Sequence, residues 1–135
     1  MSEIITDKLT GKTSAGDVTI TSEGGAVTFQ LQQGLTKAWV KLNQTDGTAT
    51  DSFNVASVSD DGTALGSYTF TNNMNNDSFC VSNMGGKNDY IQSNTGRGDA
   101  TPDSTSGVST LINTNYNGAN NDTKQMNSVV HGDLA

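Results

Sequence analysis

The sequence predicts an all-β fold, a small β-sandwich or jelly-roll-like domain preceded by an N-terminal extended or hairpin arm. Three observations carry that expectation. Apolar residues recur with period two in short runs, as in Ala38-Trp39-Val40-Lys41-Leu42 and Ser67-Tyr68-Thr69-Phe70. Gly, Asn, Asp and Ser separate these runs every 8–12 residues or so, the spacing of an antiparallel sandwich or barrel. No stretch repeats its apolar residues with the period of an amphipathic helix.

Residues 1–36 form the arm and 37–135 the domain. In the arm, Thr10-Gly11-Lys12 and Ala15-Gly16-Asp17 are turn signals. Asp17-Val18-Thr19-Ile20-Thr21 and Ala26-Val27-Thr28-Phe29-Gln30-Leu31 each alternate polar and apolar residues. Between them lies Ser22-Glu23-Gly24-Gly25, with glycines where a hairpin needs positive φ. An isolated hairpin is marginal in water. Val18, Ile20, Val27, Phe29 and Leu31 therefore need a partner surface, either the domain or a neighbouring subunit. Gly34 breaks the pattern.

In the domain, Ala38, Val40 and Leu42 share one face of the first strand and Lys37, Trp39 and Lys41 the other. Trp39 thus lies under a second layer or at an interface. Asp46-Gly47 centres a polar loop. Phe53 and Val55 continue the alternation, Val58 falls out of phase, and a bulge at Ala56-Ser57 reconciles them. Asp60-Asp61-Gly62 is a turn. Tyr68 and Phe70 point inward, Asn72–Asp77 is a loop, and Phe79 and Val81 open another strand. Trp39, Phe53, Val55, Tyr68, Phe70 and Phe79 are expected to build the core. After Asn83 the apolar density falls. Ser93–Gly107 and Asn117–Lys124 read as loops. Val108–Tyr116, with Val108, Ile112 and Tyr116 on one face, and Ser128–His131 read as strands.

Composition sets the limits. Among 135 residues only 32% are hydrophobic and 6% aromatic. A monomer's core would be thin for this length, which favours burial against further copies of the chain. Only 16% are charged, too few for the usual disordered composition. A net charge of −7 repels phosphate backbones and anionic membranes, so no nucleic-acid partner and no membrane insertion are expected. No run approaches the roughly 18 apolar residues of a membrane helix. The N-terminal residues lack the basic start and apolar run of a secretory signal, which places synthesis and assembly in a cytoplasm. The one cysteine, Cys80, sits between Phe79 and Val81 and reads as a small packed side chain.

The order Ala38-Trp39-Val40, Asp51-Ser52-Phe53-Asn54-Val55-Ala56-Ser57-Val58-Ser59-Asp60-Asp61-Gly62-Thr63, Ser67-Tyr68-Thr69-Phe70 resembles a module of bacteriophage virion proteins. The module is of tail-fibre-like type and belongs to phages of marine bacteria and cyanobacteria. Phe79-Cys80-Val81-Ser82 and Val129-Val130-His131-Gly132 fit its next and closing strands, and residues 4–31 its leader. The resemblance covers residues 1–86 and the last strand, and residues 87–127 depart from it. It implies a homotrimeric, β-rich, non-enzymatic virion protein displayed on the particle. The expected partners are its own copies, other virion proteins (tail, portal-proximal or capsid) and a host-surface glycan. A capsid decoration or cement protein is the alternative, and a cellular carbohydrate-binding β module the third.

Chemical motifs are weak beside this. Arg97-Gly98-Asp99 is a three-residue match to an integrin-binding tripeptide, and chance explains it. Asp60-Asp61-Gly62, with Asp46 and Asp51, lacks the ligand spacing of a calcium loop. His131 is the only histidine, so no multi-histidine metal site forms within one chain. No serine lies in a Gly-x-Ser-x-Gly elbow. No catalytic residue, metal ligand or cofactor is assigned. The sites expected are therefore surfaces. Val18, Ile20, Val27, Phe29, Leu31 and Trp39 are expected at interfaces, and Tyr90 and Tyr116 as stacking surfaces for sugars.

Overall fold

The structure is a computed structural model, and it describes residues 5–10, 18–21, 24–25, 28–86, 92–97, 104–115 and 119–134. The chain divides into two compact units, residues 1–35 and 36–135.

In the first unit, β1 (Thr19–Thr21) and β2 (Thr28–Gln30) pair antiparallel, with Ile20 opposite Phe29. Gly24 and Gly25, at φ of +86° and +71°, supply the left-handed backbone the turn requires. The Leu31 N–H donates to the Val18 carbonyl at 2.7 Å. Leu31 does not extend β2, however. It opens a one-turn helix, α1 (Leu31–Gly34).

The second unit is all-β. Its strands are β3 (Ala38–Asn43), β4 (Thr48–Phe53), β5 (Val55–Gly62), β6 (Leu65–Phe70), β7 (Cys80–Gly86), β8 (Gln92–Arg97), β9 (Gly107–Asn115) and β10 (Gln125–His131). They form two antiparallel sheets of four, in the orders β4-β3-β10-β7 and β5-β6-β9-β8. One core joins the sheets, the layout of a β-sandwich. Ala38, Val40 and Leu42 of β3 and Met126 and Val130 of β10 meet Tyr68 and Phe70 of β6 and Val108 and Leu111 of β9. Met74 and Phe79, from the segment between β6 and β7, close the cluster. Phe70 stands edge-on to Tyr68 and Phe79, with ring centroids 5.9 and 5.7 Å apart. The Tyr68 hydroxyl reaches Ser128 Oγ at 2.7 Å and links the sheets through the core. Each fully buried large apolar side chain contributes about 1.5–3 kcal/mol.

The strand order differs from a jelly roll. Three pairings (β3–β4, β5–β6 and β8–β9) join strands consecutive in sequence, so the chain completes hairpins within a sheet before crossing. One crossing falls at Asn54, whose φ is +55°. Its amide nitrogen donates to the carbonyls of Lys37 (3.0 Å) and Asn72 (3.1 Å), and its amide oxygen accepts the Asn72 N–H at 2.7 Å. Asn tolerates this left-handed backbone because its short polar side chain can bond locally.

Several expectations change here. Two residues expected in the core lie outside it: Trp39 is half-buried on the face of β3 opposite Ala38, Val40 and Leu42, and Phe53 is 51% exposed, because β4 and β5 belong to different sheets and Asn54 interrupts their alternation. Val55 and Val58 both pack on the core, and the register between β5 and β6 shifts between Val55 and Ser57, where the bulge was expected. In β9 the buried pair is Val108 and Leu111 while Ile112 is half-buried, because an extra residue enters β9 where it pairs with β6. The stretch Ser93–Gly107 is not all loop, since β8 occupies its start. Cys80 is exposed rather than packed, since it continues the outward phase of β7.

Candidate interaction face on the outer sheet

The outer surface of the β4-β3-β10-β7 sheet follows from the same alternation that buries Ala38, Val40 and Leu42. With those three inward, Trp39 and Lys41 point outward, and their direct cross-strand partners do too. Trp39 pairs with Phe53 on one side and Val129 on the other, and Val129 pairs with Ser82. This gives one row, Phe53–Trp39–Val129–Ser82. The adjacent row is Asp51–Lys41–Asn127–Met84. In the other direction, His131 faces Cys80. Among the described residues of this unit, the two exposed large apolar side chains, Phe53 at 51% and Met84 at 70%, both lie on this face. Trp39 and Val129 are half-buried between them. Directly opposed pairs of this kind contribute about 0.2–1 kcal/mol each.

On the β5–β6 half of the other sheet, hydroxyls are paired across the outer surface. Ser57 and Thr69 hydrogen-bond across the strands at 2.6 Å, and Ser59 pairs with Ser67. A small hollow of about 160 Å³ beside these pairs is lined by Ser67, Thr69, Ser104 and Ser106 together with Tyr68, Gly107 and Val108.

At one end of the sandwich a polar clamp holds four connections together. Gln44 and Thr123 are fully buried. The Gln44 amide nitrogen donates to the Ala64 carbonyl at 3.1 Å, and its amide oxygen accepts the Thr123 N–H at 3.2 Å. The Gln44 N–H donates to the Thr123 carbonyl at 2.9 Å, and the Thr123 hydroxyl donates to the Gly86 carbonyl at 2.8 Å. Ala64, buried at a φ of +66°, donates its N–H to the Asp122 carboxylate at 2.6 Å. A non-glycine residue keeps such a backbone only where its surroundings dictate it. The sequence carries no signal for this clamp, because its members are far apart in the chain.

The residues expected at interfaces fall in different places. Val18 and Leu31 are half-buried and line a cavity of about 160 Å³ with Leu9, Gln32 and Leu35. Ile20 is 37% exposed and sits opposite Phe29 in the hairpin. Trp39 lies on the outer face described above. Val27, Tyr90 and Tyr116 lie outside the described residues, as do Gly98 and Asp99 of the Arg97-Gly98-Asp99 tripeptide. Asp46 lies in the β3–β4 turn and its carboxylate accepts the Thr48 N–H at 3.1 Å, whereas Asp60-Asp61-Gly62, expected as a turn, ends β5, where the Asp60 carboxylate accepts the Gly62 N–H at 3.0 Å and the chain turns only at Thr63-Ala64. Among the described residues, no three His, Cys, Asp or Glu side chains cluster so as to hold a metal ion. Lys37 is buried, which lowers its pKa from the ordinary 10.5, and the nearby Asp133 carboxylate partly offsets that shift.

No protein-family model matches this chain, and neither a curated protein nor a solved structure matches it.

Proposed function

We propose that the chain is a non-enzymatic structural protein of a phage virion, tail-fibre-like and displayed on the particle. In this reading it assembles as a homotrimer through its N-terminal hairpin and the outer face of the β4-β3-β10-β7 sheet. The observation that carries the reading is the gathering of Phe53, Trp39, Val129 and Met84 on one outer face over a hydrogen-bonded β frame. Contiguous exposed apolar residues on a small domain mark a contact surface. The resemblance of residues 1–86 and the last strand to a virion module supports the setting. The hairpin adds to it: two three-residue strands are marginal alone, and Ile5, Leu9, Ile20 and Leu35 are exposed in the same unit.

Capsid decoration is the second reading. It is favoured by a hairpin whose outer edges pair with no other described strand, which suits it to adding onto a neighbouring protein's sheet. Imaging of intact particles that locates this chain separates the readings. A few copies on the tail support the first, and hundreds over the head lattice support the second. Absence from purified particles overturns both. Sedimentation of the free protein tests the trimer.

A further inference from the structure

Every open sheet leaves two edge strands whose free N–H and C=O groups can pair with another chain, and proteins protect them with charge, proline or bulges. This sandwich has four such edges: β4, β7, β5 and β8. Three are protected. β4 carries Asp51 and a register shift against β3. β5 carries Asp60 and Asp61 and two shifts against β6. β8 ends in Arg97 and shifts once against β9. β7, Cys80-Val81-Ser82-Asn83-Met84-Gly85-Gly86, has no charge and no proline. It pairs with β10 over seven consecutive residues without interruption, and among the described strands with β10 alone.

The sequence of β7 is also self-complementary. We infer that β7 is a strand-addition edge, and that its partner is β7 of a second copy, antiparallel about Asn83. In that register Cys80 meets Gly86, Val81 meets Gly85, Ser82 meets Met84 and Asn83 meets itself. The outward residues Cys80, Ser82 and Met84 face only outward positions. The inward residues Val81 and Asn83 face only inward ones, as the pairing of Val81 with Val130 and Asn83 with Ser128 requires. Larger side chains stand opposite smaller ones, and no like charges meet. A one-residue slip would oppose outward to inward positions and is disfavoured. The product is a continuous eight-stranded sheet in which the Phe53–Trp39–Val129 rows of both copies share one face. The inference holds whether or not the chain belongs to a virion, since it concerns the β7 edge alone and not what the hairpin assembles.

The test uses two exposed positions, and because both lie on the outer face assigned above to assembly, the parent and both variants are compared in a W39S/F53S background, which lacks the centre of that apolar face. S82K/M84K places four lysines around the axis, whereas S82D/M84K places Asp opposite Lys twice. Analytical ultracentrifugation of the full chain is expected to give S82K/M84K half the mass of the parent. S82D/M84K is expected to recover the parent mass, and to lose it in high salt. Equal masses for the parent and S82K/M84K, at matching circular dichroism, would overturn the inference, as would failure of S82D/M84K to reassociate. Hydrogen exchange on the wild type gives a second readout that needs no variant. Amides of residues 81–85 should gain protection as concentration rises, and concentration-independent exchange there would count against the pairing.

Discussion

The two sheets of the sandwich share one core and differ in what they turn outward. The β5–β6 half of one sheet presents hydroxyls, with Ser57 bonded to Thr69 and Ser59 opposite Ser67. The β4-β3-β10-β7 sheet presents Phe53, Trp39, Val129 and Met84. The edges divide in the same way, because the one edge strand without charge or register shift, β7, belongs to the apolar-faced sheet. Inward positions are constrained alike in both sheets by the shared core. The outer positions are free of that constraint, so their difference bears on interaction rather than on folding.

The comparison can be broken most severely from inside. Tyr68→Ala removes a buried ring packed on Phe70 and the bond to Ser128, and is expected to cost about 3–5 kcal/mol. Chemical denaturation should then show one cooperative transition at lower denaturant, with both sheets lost together. Next come the two faces themselves. W39S/F53S is expected to lower stability by only about 1–2 kcal/mol while reducing self-association in sedimentation. S57A/T69A on the other sheet should change stability by less than about 1 kcal/mol and association not at all. Equal loss of association from both double variants would erase the distinction between the faces.

The smallest effect belongs to Lys37, which burial makes give up its proton more readily in the folded protein than in the unfolded chain. The unfolded state therefore binds more protons in the window below 10.5, and the contribution of Lys37 to stability rises with pH through that window. K37M removes the buried charge and is expected to melt slightly above wild type at neutral pH, by an amount worth under about 1 kcal/mol. That advantage should shrink as pH approaches 10.5. An advantage that grew with pH would mean the Asp133 attraction outweighs burial.

Much of the frame was legible from single residues. The Ala38/Val40/Leu42 alternation placed Trp39 outward, and the spacing from Val55 to Val58 located the β5 bulge. The inward pair Tyr68 and Phe70 followed in the same way. Phe53 was misread because period two holds only within one strand, and at Asn54 the chain leaves one sheet for the other. β8, Gln-Ser-Asn-Thr-Gly-Arg, has no apolar residue to alternate, and its pairing with β9 defines it. Met74 stands alone among asparagines and Met126 between Gln125 and Asn127, and only the tertiary fold buries them. The apolar face was half legible. Trp39 could be assigned outward, but its neighbours depend on registers between strands distant in sequence, which no local pattern encodes.

One of those registers has a bearing on how the protein is made. β10 lies between β3 and β7, and its bonds to β3 join residues about 90 positions apart. A ribosome adding about 5–20 residues per second needs several seconds to travel that distance. Throughout that interval the sheet lacks the strand that joins β3 to β7, so the β3–β4 hairpin has no partner on its β3 side and β7, once made, has no strand to pair with. The sandwich thus closes only after residues 125–131 have emerged, and until then the nascent chain depends on chaperones and on the mutual repulsion of its net charge of −7 to stay apart from its neighbours on the polysome.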